Sequence, residues 1–542
     1  MNPTSLPDGA IVNANVRTMD PDRPTAEAVA WRQGRIVAVG TATDVLSHDI
    51  DGEILDAEGG TVTPGLIDSH THPTWGAELS RGADLQGVHS FDQVLEVLRR
   101  QADVVRTRGE QWVFAWNLDY AALGDRQIRG EDLADSVYGM PAVVMFHDVH
   151  TAVATPAALA HARINGSEQF VDNSAVVCDA AGRPTGELRE ASAYNLLYDA
   201  APPLTRNDHI AHVDRVLKEF ASTGITGGVI MDGTLATLEL LNEMEAVGTL
   251  PVRLDVALWH APDRDDAGVS SLIEQLAAGG RRWKTGLIKL FLDGVIETGT
   301  AWLYEPDTCG DSDRSYWPDR QRFAEVVERY ASAGFQIATH AIGDRAVGEV
   351  LDVYESVGVL AKNGAPHRIE HIETLTDGDL SRFQQLGIIA SMQPLQMQWR
   401  HEDLSDRWSA RLGPTRASRA YRTRDLIDSG VPLALGSDWP VVPFDPRIGM
   451  AWARLRRRPG DLSAQPFEPA QAIDAHEALH GYTAGAAQAL GDHSRGIISE
   501  GRRADLTCFR GDPITASADE LVELPILATY LDGECSYREE AR

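Results

Sequence analysis

At 542 residues the chain has room for two to four domains of roughly 100 to 200 residues, or for one large barrel with additions. Hydrophobic residues make up 43% and charged residues 24%, which fits a folded globular protein and excludes a fibrous or disordered one. The 49 basic and 80 acidic residues leave a formal charge of −31, which repels nucleic acid and anionic membrane surfaces. The four cysteines, Cys178, Cys309, Cys508 and Cys535, lack metal-finger spacing and fit a reducing cytoplasm. Neither a signal-peptide pattern at the start nor an apolar run of about 18 residues is present, so no membrane span is expected.

In chain order, the runs AIVNANVRTM, EAVAWRQGRIVAVG and EILDAEGGTVTPG are punctuated by Gly, Asp and Pro and read as hairpins of a small sheet. GLIDSH (65–70) follows as a first buried strand. The stretch from about 74 to 222 is too long for one strand-to-helix connection. Within it, a capping box at Ser90 and Gln93 starts a helix over FDQVLEVLRR, and AVVMF reads as a strand. Seven more buried strands are predicted beyond it: ITGGVIM (225–231), VRLDVALW (252–259), LIKLFLDG (287–294), QIATHAIG (336–343), HRIEHIE (367–373), GIIASMQP (387–394) and VPLALGSD (431–438). Segments such as LATLELLNEMEAV and AVGEVLDVYESV lie between them with apolar residues at helical spacing. Near the end, GIISEGRRADLTCFRGDP and ILATYLDGECSY return to short strands.

This order predicts an α/β fold, a (β/α)8 TIM-like barrel over 63–74 and 221–493. A small β-sandwich is expected from both chain ends, 1–62 with 494–542, and an inserted α+β subdomain over 75–220 near the barrel mouth.

Six candidate metal ligands fall at or near the carboxyl ends of five predicted strands, the face on which such barrels build their sites. His70 and His72, two apart on an extended segment, leave the same face and suit one ion, although HxH alone is equally a polar loop feature. Only four lysines occur, Lys218, Lys284, Lys289 and Lys362, and Lys289 sits in the apolar LIKLFLD. It is either ion-paired, for example with Asp293, or a desolvated amine able to take up carbon dioxide as a metal-bridging carbamate. His340 and His371 each follow an apolar strand and are either hydrogen-bonded core histidines or ligands. Asp438 is either a turn acid or a ligand that accepts a proton from water.

Together, GLIDSHTHP, KLFLDG, ATHAIGD, HRIEHIE, GSDWP and GIISEGRRADL resemble the metal-dependent amidohydrolase superfamily across essentially the whole chain. FHDVHTAVATPAAL, AGRPTGELREA, SMQP and the stretch from TRDLIDSG to GSDWPVVPFDP are similar to its amidohydrolase 3 branch, that of N-substituted formamide deformylase and YtcJ-like proteins. The resemblance implies that His70, His72 and Asp438 hold one metal ion, and that carboxylated Lys289 bridges to a second held by His340 and His371. Zinc is the implied ion, with manganese, iron or cobalt as alternatives and one or two ions in the site. The implied reaction is hydrolysis of a non-peptide C–N bond, in an amide, N-substituted formamide or cyclic amide. Metal-activated hydroxide attacks, with Asp438 as general base and then acid.

The expected partner is a small-molecule substrate. His150 stands in DVHT where relatives carry Asp-Gly-His-Ser and is expected to bind a carbonyl, whereas Thr155 replaces a family asparagine and separates this chain from inherited specificity. Trp75 is expected to line an apolar pocket. Asp293, Gln393 and Trp439 are further substrate-contact candidates, each with a structural alternative: an ion pair, a loop hydrogen bond and barrel packing. Similar enzymes are often dimers, so a homodimer is compatible with the sequence, which fixes no interface. The competing readings are a deaminase or an ester or carbamate hydrolase on the same scaffold, told apart by the released product. A noncatalytic scaffold protein is disfavoured because all six ligand types are present. The basic run RLRRRPG (454–460) reads as a solvated helix end.

Overall fold

The structure, a computed structural model, describes residues 6–540 other than 81, 125, 249, 359, 360 and 363. Its centre is a nearly closed barrel of eight parallel strands: β1 (Leu66–Thr71), β2 (Ile225–Gly233), β3 (Arg253–Trp259), β4 (Trp283–Phe291), β5 (Gln336–Ala341), β6 (Arg368–His371), β7 (Ile389–Met392) and β8 (Leu433–Leu435). They lie side by side in chain order, all parallel, as a barrel of alternating strands and helices requires. Their near-continuous apolar runs follow from burial on both faces, by the barrel interior and by the helices outside.

The helices show why the turns fall where they do. Asp377–Leu386 starts where the Thr376 hydroxyl accepts the Asp379 N–H at 3.1 Å, and it stops at Gly387, whose φ of +65° favours a residue without a side chain. At Ser90 the expected capping box is incomplete. Ser90 accepts the Gln93 N–H, but the Gln93 side chain accepts from His89 N–H at 3.2 Å instead of from Ser90.

The seam between β8 and β1 closes just beyond the strand ends. Asp438 N–H donates to His70 O at 2.6 Å and His72 N–H to Trp439 O at 2.9 Å. Below them the buried Asp68 carboxylate accepts the Ser437 N–H at 2.9 Å and the Ser437 hydroxyl at 2.5 Å. Gly436 permits this approach, since a Cβ there would lie 2.5 Å from His70 N.

The segment after β1 carries a six-stranded mixed sheet in the order 175–178, 184–189, 151–154, 142–146, 113–118 and 83–84. AVVMF is one of its inner strands. A second six-stranded sheet takes strands from both chain ends, joined where Thr61–Pro64 pairs antiparallel with Leu506–Phe509. Val29, Trp31, Val62, Leu506 and Tyr530 share one apolar cluster between it and a four-stranded sheet of N-terminal strands. All four cysteines are free thiols, and among the described residues no helix is long and apolar enough to cross a membrane.

The basic run at 454–460 departs from expectation. Arg456 is buried, and its guanidinium donates to Phe467 O at 2.6 Å and Tyr421 O at 3.1 Å, so one of its charges serves the interior and not solvent.

At the foot of β6 the buried His367 Nδ1 accepts the Ile337 N–H at 3.1 Å, and burial pushes its pKa down to about 4. The unfolded chain takes up this proton near pH 6.5, whereas the folded chain resists it until about 4. Stability is therefore expected to fall by up to about 3 kcal/mol as pH drops through this window. His367→Gln, which keeps an acceptor oxygen and does not titrate, should reduce the dependence of Tm on pH between those limits, the remainder coming from other buried histidines such as His147 and His260.

Candidate active site

The carboxyl ends of the strands project His70 from β1, His72 from the residue just beyond it, Asp232 from β2, Lys289 from β4, His340 from β5, His371 from β6 and Asp438 from the turn after β8. His371 and Asp438 adopt φ of +73° and +64°, where chain direction changes at the rim. His70, His72 and Asp438 each offer one atom within 4.8 Å of the others, a group that could hold a metal ion. Asp438 Oδ1 lies 3.0 Å from His72 Nε2 and 3.3 Å from His70 Nε2. Lys289 Nζ is 3.4 Å from His70 Nε2. The rings of His70 and His371 are 4.8 Å apart, and those of His340 and His371 4.4 Å. The six residues singled out from the sequence thus converge on one end of the barrel.

The outward nitrogens of two imidazoles are hydrogen-bonded, and that of a third faces a carboxylate. His70 Nδ1 lies 2.7 Å from Glu370 Oε2, and the two Glu370 oxygens accept from Arg368 Nε and Nη2 at 2.6 and 3.1 Å. A carboxylate paired to a guanidinium is an acceptor, so the Nδ1 proton belongs to His70 and its Nε2 lone pair faces the site. His72 Nδ1 faces Asp232 at 3.2 Å, and His340 Nε2 donates to Gly294 O at 3.1 Å. On the opposite side, His340 Nδ1 and His371 Nδ1 are buried without a hydrogen-bond partner among the described residues. Imidazole lone pairs with no donor, beside a carboxylate and an amine, make a nitrogen and oxygen set suited to a divalent cation.

Electrostatics agree with that chemistry for His70, His340 and His371, whereas His72 would have to give up a proton to a bound cation. Burial first, and the charge of Lys289 next, hold His70 and His340 well below the usual histidine range. Burial and the neighbouring imidazoles do the same to His371. For His72, burial lowers the pKa, but the hydrogen bonds and charges of Asp232 and Asp438 outweigh it and raise the value to about 9. Burial brings Lys289 down to about 8 against the pull of Glu370 and Asp438.

A cavity of about 420 Å³ opens over this group. Trp75 lines it, stacked on Tyr194 with ring centroids 6.4 Å apart, and His150 enters from the inserted sheet with Nδ1 2.7 Å from Glu190 Oε2. Burial lowers the His150 pKa, but the charge and hydrogen bond of Glu190 outweigh it and raise it to about 9.

Three expected substrate contacts are not among the cavity-lining residues. Asp293 is neither ion-paired to Lys289 nor turned to the cavity: its buried carboxylate accepts the N–H groups of Trp302, Ile342 and Gly343 at 2.8, 3.0 and 2.8 Å. Gln393 is buried with Nε2 toward Ser391 O, and Trp439 packs against Trp116, Phe220 and Phe444. Thr155 caps the helix Pro156–His161 and also accepts the Ala142 N–H at 2.9 Å, a local folding role. Sequence reasoning missed Asp232, Glu370, Glu190 and Gln396, whose Nε2 donates to Asp438 Oδ2 at 2.7 Å. Asp232 directly follows a predicted strand, and Glu370 is a charge in a buried strand, so those two left a signal.

The profile of the Amidohydrolase family matches residues 53–537. An N-substituted formamide deformylase of Arthrobacter pascens is 29% identical over 549 aligned positions, covering 98% of this chain and 99% of that one. Among solved structures, a metal-dependent hydrolase of Pyrococcus furiosus superposes with a TM-score of 0.71 at 26% identity, over 94% of this chain and all of that one. A second, from Pyrococcus horikoshii, gives 0.73 at 24% identity over 94% of this chain and 99% of that chain, a likeness of fold.

Glu370→Gln removes the charge that fixes the His70 tautomer. Metal affinity, read by chelator competition, is expected to fall by about 10- to 100-fold.

Proposed function

Because the chain belongs to the amidohydrolase family and is a hydrolase of carbon–nitrogen bonds other than peptide bonds, we propose that it cleaves an amide of the N-substituted formamide type. The observation that carries this reading is the convergence of His70, His72, Lys289, His340, His371 and Asp438 at the floor of an aromatic-walled cavity. His70, His72 and Asp438 would hold one zinc ion. Lys289, as a carbamate formed from its neutral amine and carbon dioxide with release of a proton, would share a second with His340 and His371. The low Lys289 pKa and its enclosure beside His70 support the carbamate. When bound, the ions supply Lewis acidity that lowers the pKa of water and polarises a carbonyl.

The protein's own groups account for the rest. Asp438 takes a proton from the attacking water at Oδ1 and passes it to the leaving nitrogen, while Gln396 holds Oδ2 and orients the carboxylate. His150, charged beside Glu190, donates to the substrate carbonyl. Trp75 and Tyr194 take the apolar substituent on nitrogen. We take the two terminal sheets as one β-sandwich unit and the 75–220 segment as a subdomain that supplies His150 to the barrel mouth.

Purified protein is expected to contain about one to two equivalents of metal per chain by plasma mass spectrometry. It should release amine from a panel of N-formyl and N-acyl amines, and a chelator should abolish this. Asp438→Asn should lower kcat by about 10²- to 10⁴-fold. Release of ammonia or of an alcohol in place of an amine would move the reaction to deamination or ester cleavage. Absence of metal after reconstitution with zinc and bicarbonate would overturn the site.

A further inference from the structure

Glu190 stands at the junction between the strand Pro184–Arg189 and the helix Ala191–Ala200, with φ of 65° and ψ of 163°. That backbone region is essentially confined to glycine, and a side chain persists there only where its surroundings over-determine it. The surroundings here do so. Glu190 N–H donates to His150 O at 2.7 Å, and Oε2 lies 2.7 Å from His150 Nδ1, so one residue grips another by both main chain and side chain. Its other oxygen, Oε1, is buried without a hydrogen-bond partner among the described residues and faces the turn after β4. A Cβ on Gly294 would lie 2.5 Å from Oε1, so a glycine makes room for it, and the carbonyl of that glycine accepts from His340 Nε2.

The expense is local and the outcome is the aim of one imidazole. His150 N–H donates to Asp148 Oδ1 at 3.0 Å, and Asp148 Oδ2 accepts the Tyr120 hydroxyl at 2.6 Å, which fixes the main chain of His150. Of these hydrogen bonds only that to Glu190 holds the ring, which also stacks on Phe291 with centroids 5.9 Å apart. The carboxylate accepts the Nδ1–H, and in the charged imidazole this leaves the Nε2–H to donate into the cavity, with the ring 5.7 Å from that of His340.

We propose that Glu190 is a positioning residue for the hydrolysis and acts through His150, holding its ring so that Nε2 meets the substrate carbonyl beside the His70, His72 and Asp438 group. This rests on the reading of His150 as the carbonyl contact. A glutamate that merely stabilised the fold would affect activity whether or not His150 were present.

The test is a double-mutant cycle on an amide the protein turns over, with kcat, KM, Tm and metal content measured for each variant. His150→Ala and Glu190→Gly are each expected to lower kcat at least about 10-fold, with KM within about 3-fold and metal content unchanged. Glycine suits the φ of residue 190, so Tm should not fall. In the His150→Ala background, Glu190→Gly should have no further effect. An equal loss in both backgrounds, or one accompanied by loss of metal or of Tm, would overturn the role of Glu190. An unchanged kcat in His150→Ala alone would instead overturn the reading of His150 on which it rests.

Discussion

The site depends on the seam where the last barrel strand meets the first. The hydrogen bond from Asp438 N–H to His70 O carries no catalytic chemistry, yet it sets an aspartate and a histidine pair from the last and first strands of the barrel within bonding reach of one ion. Gly436 lets the backbones approach, and Asp68 receives Ser437 at two points beneath them. Burial raises the Asp68 pKa to about 7 while the Ser437 and His70 hydrogen bonds oppose it, so the seam contains a carboxyl held among fixed donors instead of water.

Below the histidines, Arg368 performs a comparable service in the other direction. Its Nη2 donates to Ser69 O and to Ser391 Oγ, both at 2.7 Å, and reaches the Glu370 carboxylate, so a single buried guanidinium links β1, β6 and β7. Breaking a buried pair of this kind costs about 3 to 5 kcal/mol because the remaining charge is stranded. The orientation of His70 is therefore secured by an interaction that the barrel cannot discard without losing stability, and ligand geometry and fold stability share one network.

All eight barrel strands were legible because parallel strands covered on both faces read as uninterrupted apolar runs. Their limits were less so: β4 begins at Trp283, four residues before the predicted 287, because half-exposed Lys284 and Gly286 disguise its start. The six candidate ligands were legible because they fall at or near strand ends, and Lys289 also because it is one of four lysines and sits in an apolar run. Trp439 and Gln393 show where that logic fails. Being next to a rim residue does not say which way a side chain turns, and the positive φ of Asp438 sends Trp439 into packing with Phe220 and Phe444. Gln396 sits on a 3₁₀ turn and Glu190 in a glycine-like backbone state, conformations that carry no periodic signature.

The pairing of Thr61–Pro64 with Leu506–Phe509 bears on how the molecule is made. Leu66 N–H donates to Thr507 Oγ1 across 441 residues of intervening chain. At about 5 to 20 residues per second, a ribosome needs roughly 20 to 90 s to supply that partner. Until then the buried strand Thr61–Pro64 has an open edge, and for most of that interval the barrel also lacks its last strand and Asp438. The nascent protein is thus inactive for nearly its entire synthesis, and its early strands need protection from aggregation throughout that interval.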